Sequence, residues 1–168
     1  DHVVINLSRM ARVLEWDSAT GLIVVEPGVC FSDVFRKTLI HNWTLSSCPG
    51  GMGVTIGGAI SNNVHGKDSW KEGNFGDQVT QLKLLTASGE IVEICRDRDR
   101  NLFEAVVGGI GLLGVIVEAT LQLKKVPSPF VEVTSVVTRN IEESLEHIET
   151  YNKDWDFSVA WADAFAKG

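Results

Sequence analysis

Glycine occupies positions 50, 51, 53, 57 and 58 in the run Pro49-Gly50-Gly51-Met52-Gly53-Val54-Thr55-Ile56-Gly57-Gly58-Ala59-Ile60. Without a Cβ at these positions, consecutive backbone N–H groups turn toward one anion with no side chain in the way. The run therefore predicts an anion cradle. A short helix starting at Ala59 to Asn63 would add its N-terminal amides and dipole to the attraction for a diphosphate. A plain turn-rich loop is the other reading of the same glycines. No Gly-Lys-Ser/Thr follows at Walker spacing, so nucleoside triphosphate hydrolysis finds no support.

His65-Gly66-Lys67 comes directly after and sets an imidazole and an ammonium beside the glycines. Each has a ligand-contact reading and a bland one, a structural histidine and a solvated lysine. His2, His41 and His147 offer no metal-ligand spacing, so no metal site is assigned. No nucleophile elbow is present, and no catalytic residue is named. Gly109-Ile110-Gly111-Leu112-Leu113-Gly114 matches G-x-G-x-x-G, the dinucleotide fingerprint, which requires a strand before it and a helix after it. Here the order is reversed, and the alternative is a helix C-cap with glycines that allow close backbone approach.

Elements must hold these residues in place. Val3 to Leu7, Arg12 to Trp16 and Leu22 to Glu26 read as strands, the last two joined by a hairpin through Asp17 to Gly21. Ser32 is a plausible N-cap for a helix over Asp33 to His41. Asn42 to Val64, free of Asp, Glu, Lys and Arg, reads as a shaped loop. Gln78 to Ala87 and Glu90 to Ile94 flank the Ser88-Gly89 turn as a second hairpin, and Asp99 or Asn101 opens a helix through Val107. Gly114 to Leu123 alternates as a strand, with Ile116, Glu118, Thr120 and Gln122 on the wetter face. Lys124 to Pro129 marks a domain boundary. Beyond it come a strand (Val131 to Thr138), a helix (Ile141 to Tyr151) and a strand (Phe157 to Trp161).

At 168 residues the chain has the length of one domain with a real core. Its 44% hydrophobic and 22% charged residues exclude a disordered or fibrous chain. The net charge of -7 argues against nucleic acid as a partner. Cys30, Cys48 and Cys95 lack C-x-x-C spacing and suit reduced thiols in a cytoplasmic setting. The strongly apolar stretch from Ala105 to Val117 is too short and glycine-rich to span a bilayer, so no integral membrane segment is expected. The start at Asp1 reads as the middle of a longer protein.

Pro49 to Ile60, Asn62-Asn63-Val64-His65-Gly66-Lys67 and Gly73-Asn74-Phe75-Gly76 together closely resemble the FAD-binding domain of the vanillyl-alcohol oxidase and p-cresol methylhydroxylase type. The His-Gly-Lys triplet and the Gly-x-Phe-Gly segment are most similar to the decaprenylphosphoryl-ribose 2'-oxidase group. Leu85 to Glu90, Phe103 to Gly114, and Ala160 to Asp163 with Gly168 extend the likeness over essentially the whole chain. Gly51 stands where Thr or Ser is common after Pro-Gly.

The resemblance implies an α+β fold. Residues 1–126 correspond to the later part of a two-subdomain FAD-binding domain, and residues 127–168 to the beginning of an antiparallel-sheet substrate domain, with the chain truncated at both ends. By motif position, Gly50, Thr55, Ile56, Gly57 and Gly58 should meet the FAD pyrophosphate and ribityl region. Asn62, Asn63, Val64 and His65 should run along the flavin, Ile116 should reach the cofactor from the later strand, and Lys67, with His65, should face substrate. The implied reaction is hydride transfer from an alcohol carbon of a sugar or polyprenyl-phosphate sugar to flavin N5. The implied partner is a small-molecule or lipid-linked sugar, with any membrane contact peripheral. Alternatives are a related 2-hydroxy-acid or aldonolactone oxidase and a non-catalytic folded module.

Overall fold

The computed structural model describes residues 4–162. Its contacts divide the chain into two compact units, residues 1–129 and 130–168. The first is built on a five-stranded antiparallel sheet of order β1-β2-β6-β4-β5, with β1 Val13–Asp17, β2 Leu22–Val25, β4 Val79–Leu85, β5 Ile91–Cys95 and β6 Val115–Gln122. β6 comes late in sequence yet lies in the middle, paired to β2 on one side and β4 on the other. A second small sheet joins β3 (Trp43–Thr44) to β7 (Lys124–Lys125). Helices α1 (Phe31–Thr38), α2 (Ile56–Ser61), α3 (Ser69–Glu72) and α4 (Arg100–Val106) complete this unit. The architecture is a mixed α+β arrangement of helices and antiparallel sheet.

The core explains the order of elements. Ile23 and Val25 of β2, Leu82 and Leu84 of β4, and Ala119 and Leu121 of β6 are buried together with Val34 of α1, Ile56 and Ile60 of α2, and Phe103 of α4. Phe31 and Phe75 stack at 5.2 Å between ring centroids, which anchors the start of α1 to the 3₁₀ turn Phe75–Gln78 that leads into β4. Strict alternation along β6 would put Ile116 on the wetter face. The structure corrects this, because Ile116 is only 6% exposed. Lys83 pairs with Glu118 but Leu84 with Ile116, so Val117 is an extra residue in the ladder. That bulge reverses the facing of Ile116 and turns it into the core.

Several boundaries differ from the sequence reading. Residues 4–7 form no strand, since no neighbouring strand pairs with them; Val3 lies outside the described residues. α1 begins at Phe31 with Cys30 as N-cap instead of Ser32, because the Asp33 carboxylate accepts the Cys30 N–H at 3.2 Å. α1 stops at Thr38, and Leu39–His41 tightens into a 3₁₀ turn. In the second unit α5 (Ile141–Tyr151) forms, with Asn140 accepting from the Glu143 N–H at 2.8 Å as N-cap. Among the described residues, neither 131–138 nor 157–161 is a strand. The apolar residues of the first run stand open, Val137 at 94%, with no strand alongside to accept their ladder bonds.

An ion pair between a buried Glu26 and an exposed Arg12 ties the chain before β1 to the end of β2. Glu26, 5% exposed, accepts from the Arg12 N–H at 2.7 Å and from its guanidinium at 2.7 and 3.1 Å. These hydrogen bonds, the guanidinium's first, hold the Glu26 carboxyl below its ordinary value. The stabilisation is therefore complete above the unfolded carboxyl's range, about pH 4.3, and is lost as pH falls through the lower folded value. Urea midpoints measured between pH 5 and 3 should fall more steeply for the wild type than for Glu26→Gln. Parallel curves would remove Glu26 from the acid response.

Candidate functional site

α2 starts at Ile56, three residues before the earliest start read from sequence, and its first amides are already occupied. Ile56 N–H donates to the Val29 carbonyl at 2.8 Å, Gly57 N–H to the Pro27 carbonyl at 2.8 Å, and Gly58 N–H to the Thr55 hydroxyl at 3.2 Å. The turn after β2 draws the helix in. The expectation that this helix aims its N-terminal amides at an anion is thus corrected.

The five glycines separate into two kinds. A Cβ on Gly57 would lie 2.7 Å from Pro27 Cβ, and one on Gly58 would lie 3.0 Å from the Thr55 hydroxyl oxygen that caps the helix. Packing within the protein accounts for both. Gly53 has no heavy atom within 4 Å of its would-be Cβ, Gly51 only Val54 Cγ2 at 3.7 Å, and Gly50 only Lys67 Nζ at 3.9 Å. None of the three has a positive φ. Neither crowding nor backbone conformation requires glycine there. Among the described residues, the amides of Gly50, Gly51, Met52, Gly53 and Thr55 donate to no protein acceptor, with Met52-Gly53 forming a turn, while the Met52 and Val54 carbonyls are fixed by Ser32 N–H at 3.1 Å and Phe31 N–H at 3.0 Å. The start of α1 thus holds the loop from its carbonyls and leaves its amides available to a ligand. An anion with extended bulk fits this cradle.

Lys67 leans over its entrance at Gly50, and among the described residues no carboxylate pairs with it. His65 is exposed beside it. Asn62 is exposed, and its amide donates to the Gly58 carbonyl at 2.9 Å. Asn63, at φ +42°, accepts the Gly76 N–H on Oδ1 at 2.9 Å. Val64 N–H reaches the Ala59 carbonyl at 3.1 Å, and its own carbonyl accepts from Phe75 N–H at 2.8 Å. Asn63 and Val64 are therefore stitched to the Asn74-Phe75-Gly76 segment, leaving His65 and Lys67 as the side chains free to meet a ligand. Ile116 sits in the core opposite Leu84.

The G-x-G-x-x-G loop follows α4 and precedes β6. Gly108 N–H donates to the Ile60 carbonyl and Ile110 N–H to the Ser61 carbonyl, each at 2.9 Å, so the loop satisfies the C-terminal end of α2. Gly108, Gly111 and Gly114 have positive φ. This is close backbone approach, not a dinucleotide turn.

Sequence reasoning missed Pro27, Ser46, Ser47, Asp68 and Gln78, whose partners lie 20 or more residues away and leave no periodic signal. Burial, and then the Asp68 carboxylate, pushes the Cys48 thiol up to about 12, so Cys48 is no nucleophile at neutral pH. A separate concavity of about 460 Å³ beside α4 is lined by Asn63, Arg96 and Phe103 among others. Arg96 there is engaged by the Val79 and Gly76 carbonyls and lies 4.9 Å above the Phe103 ring. Among the described residues no group of three His, Cys, Asp or Glu side chains is placed to hold a metal, and no helix is long and apolar enough to cross a membrane.

The FAD binding domain family matches residues 1–94. The chain is 34% identical to the decaprenylphosphoryl-beta-D-ribose oxidase of Mycolicibacterium smegmatis, over 98% of this chain and 36% of that protein. It is 31% identical to the L-gulonolactone oxidase of Bos taurus, over 94% of this chain and 35% of that protein. It is 28% identical to cytokinin dehydrogenase 7 of Oryza sativa subsp. japonica, over 91% of this chain and 28% of that protein. The chain spans about a third of the length of the curated relatives it matches. The family match takes in the open glycines, the helix behind them and Lys67; the chain belongs to the FAD-binding domain family, and FAD is its cofactor.

Proposed function

We propose that this chain forms the cofactor-holding part of an oxidoreductase acting on a CH–OH group of a sugar or of a polyprenyl-phosphate-linked sugar. Residues 1–126 would form the FAD-binding portion and residues 127–168 the start of a substrate domain. FAD, when bound, supplies the hydride acceptor. The protein supplies position and charge. In this reading the amides of Gly50, Gly51 and Gly53, continuing to Thr55, hold the pyrophosphate and ribityl region, with Ile56, Gly57 and Gly58 shaping the loop behind them. Asn62, Asn63, Val64 and His65 line the flavin side, and Ile116 supports it from β6. Lys67 offers its ammonium to the substrate, and a phosphodiester-linked sugar carries the anion to meet it. A lipid-linked substrate calls for peripheral contact with a membrane.

The observation that carries this reading is the set of three glycines that nothing among the described residues requires, with a lysine unpaired among those residues at their edge. The relatives suggest the substrate classes: decaprenylphosphoryl-ribose first, with gulonolactone as the second reading. Anaerobic mixing of the full-length flavoprotein with farnesylphosphoryl-ribose should bleach the flavin's visible absorbance, and L-gulono-1,4-lactone should do so more slowly. Bleaching by the lactone alone would replace the first reading with the second. No bleaching by either would discard both.

A further inference from the structure

Loop 50–53 and turn 65–67 lie apart in sequence and meet through a buried polar clamp. Ser46 N–H donates to Gln78 Oε1 at 3.0 Å, and Gln78 Nε2 donates back to the Ser46 carbonyl at 2.6 Å. Ser47 N–H donates to Asp68 Oδ2 at 3.2 Å, and the Ser47 hydroxyl donates to the Gly73 carbonyl. Ser47 is held at φ +51°, a conformation that L side chains rarely adopt and that persists where its surroundings fix it. Gly66 presses directly on this strained segment. A Cβ there would be 2.6 Å from both Cys48 N and the Ser47 carbonyl carbon, and 2.7 Å from Asp68 Oδ1.

Asp68 is the unexpected member. It is 2% exposed, and its Oδ1 has no hydrogen-bond partner. Burying a carboxylate with half of its acceptor capacity unused costs more than an amide or apolar residue would, so stability alone does not account for it. Its place does. It follows Lys67 in the chain and grips the segment that leads through Pro49 into Gly50, the residue over which Lys67 Nζ sits.

We propose that Asp68 is a positioning residue acting through Lys67: by locking turn 65–67 to Ser47 it fixes the ammonium at the mouth of the glycine cradle. The inference rests on the reading that Lys67 meets substrate. It is tested in the full-length FAD-loaded protein with farnesylphosphoryl-ribose as probe, using Asp68→Ala, Asp68→Asn, Lys67→Ala and the double Ala variant. Asp68→Ala should raise KM about tenfold with kcat nearly unchanged, the pattern of lost ground-state binding. Asp68→Asn keeps an oxygen for the Ser47 N–H and should stay within about threefold of wild type. On the Lys67→Ala background the Asp68→Ala change should move KM by less than about twofold, since the two act as one unit. A wild-type KM in Asp68→Ala, or effects that multiply, would overturn the proposal.

A second measurement does not depend on the substrate. The acylation rate of Lys67 by acetic anhydride, read by peptide mass spectrometry, should change severalfold in Asp68→Ala and stay near wild type in Asp68→Asn. An unchanged rate in Asp68→Ala would overturn the positioning role. If Lys67→Ala leaves KM untouched, the substrate reading of Lys67 falls, and the acylation rates alone decide the positioning. Should Asp68→Ala fail to fold, Asp68→Ser, whose hydroxyl is too short to span to Ser47, takes its place in both measurements.

Discussion

Gly53→Val in the full-length protein should lose FAD affinity by about ten- to a hundredfold while its unfolding midpoint barely moves. The space around Gly53 is open among the described residues, so the valine clashes with none of them before the cofactor arrives. Its side chain then denies the pyrophosphate at least one amide, and a hydrogen bond to a charged group is worth about 1.5–3 kcal/mol. Stability should stay within about 0.5 kcal/mol, as for exposed substitutions away from special features. Gly57→Ala should behave in the opposite way. Its methyl group would lie 2.7 Å from Pro27 Cβ and displace an N–H that donates to the Pro27 carbonyl, an overpacking cost of about 1–3 kcal/mol. Fluorescence titration of FAD into the apoprotein, set beside urea unfolding, separates the two. Equal FAD loss with equal destabilisation in both variants would show that Gly53 serves packing as Gly57 does and would remove it from the cradle.

Lys67→Ala should lower kcat/KM for a phosphate-linked sugar by about tenfold to a hundredfold at wild-type flavin content, the size of one lost charge-assisted hydrogen bond. The ammonium is exposed and unpaired among the described residues, so removing it breaks no ion pair and leaves no buried partner stranded. The protein should therefore unfold as the wild type does. Against a neutral lactone the same variant should lose much less, because no phosphate is there to meet the charge. Loss of FAD in proportion to loss of turnover would move Lys67 from the substrate to the cofactor.

The contrast between Gly53 and Gly57 shows what a sequence discloses about such a site and what it withholds. A cluster of glycines is visible at a glance, and the hairpin around Ser88-Gly89, α4 and the exact span of α5 are legible from turn residues and periodicity. Which glycines serve the fold is not legible, because the answer lies with Pro27, thirty residues upstream of Gly57. The start of α2 escapes for the same reason, since the carbonyls of Pro27 and Val29 fix it from outside the local pattern. Alternation alone puts Ile116 on the wetter face because it assumes an unbroken ladder, and the extra residue at Val117 is a property of two strands, not of one. Val131 to Thr138 has strand composition without a strand partner, and composition carries no information about partners.

The central seat of β6 also governs when the site comes into being during synthesis. β1 with β2, and β4 with β5, each close as a local hairpin, but neither hairpin touches the other in the sheet until β6 enters between them. A nascent chain that ends before Val115 is two separate ribbons with open edges. The loop after α4, whose amides finish the C-terminal end of α2, is likewise made some fifty residues later than the helix it completes. The glycines are held directly by residues 27–32, which are made before them, but the sheet behind should close only once β6 is available, and slow pairing across long sequence separation sets the pace of that step.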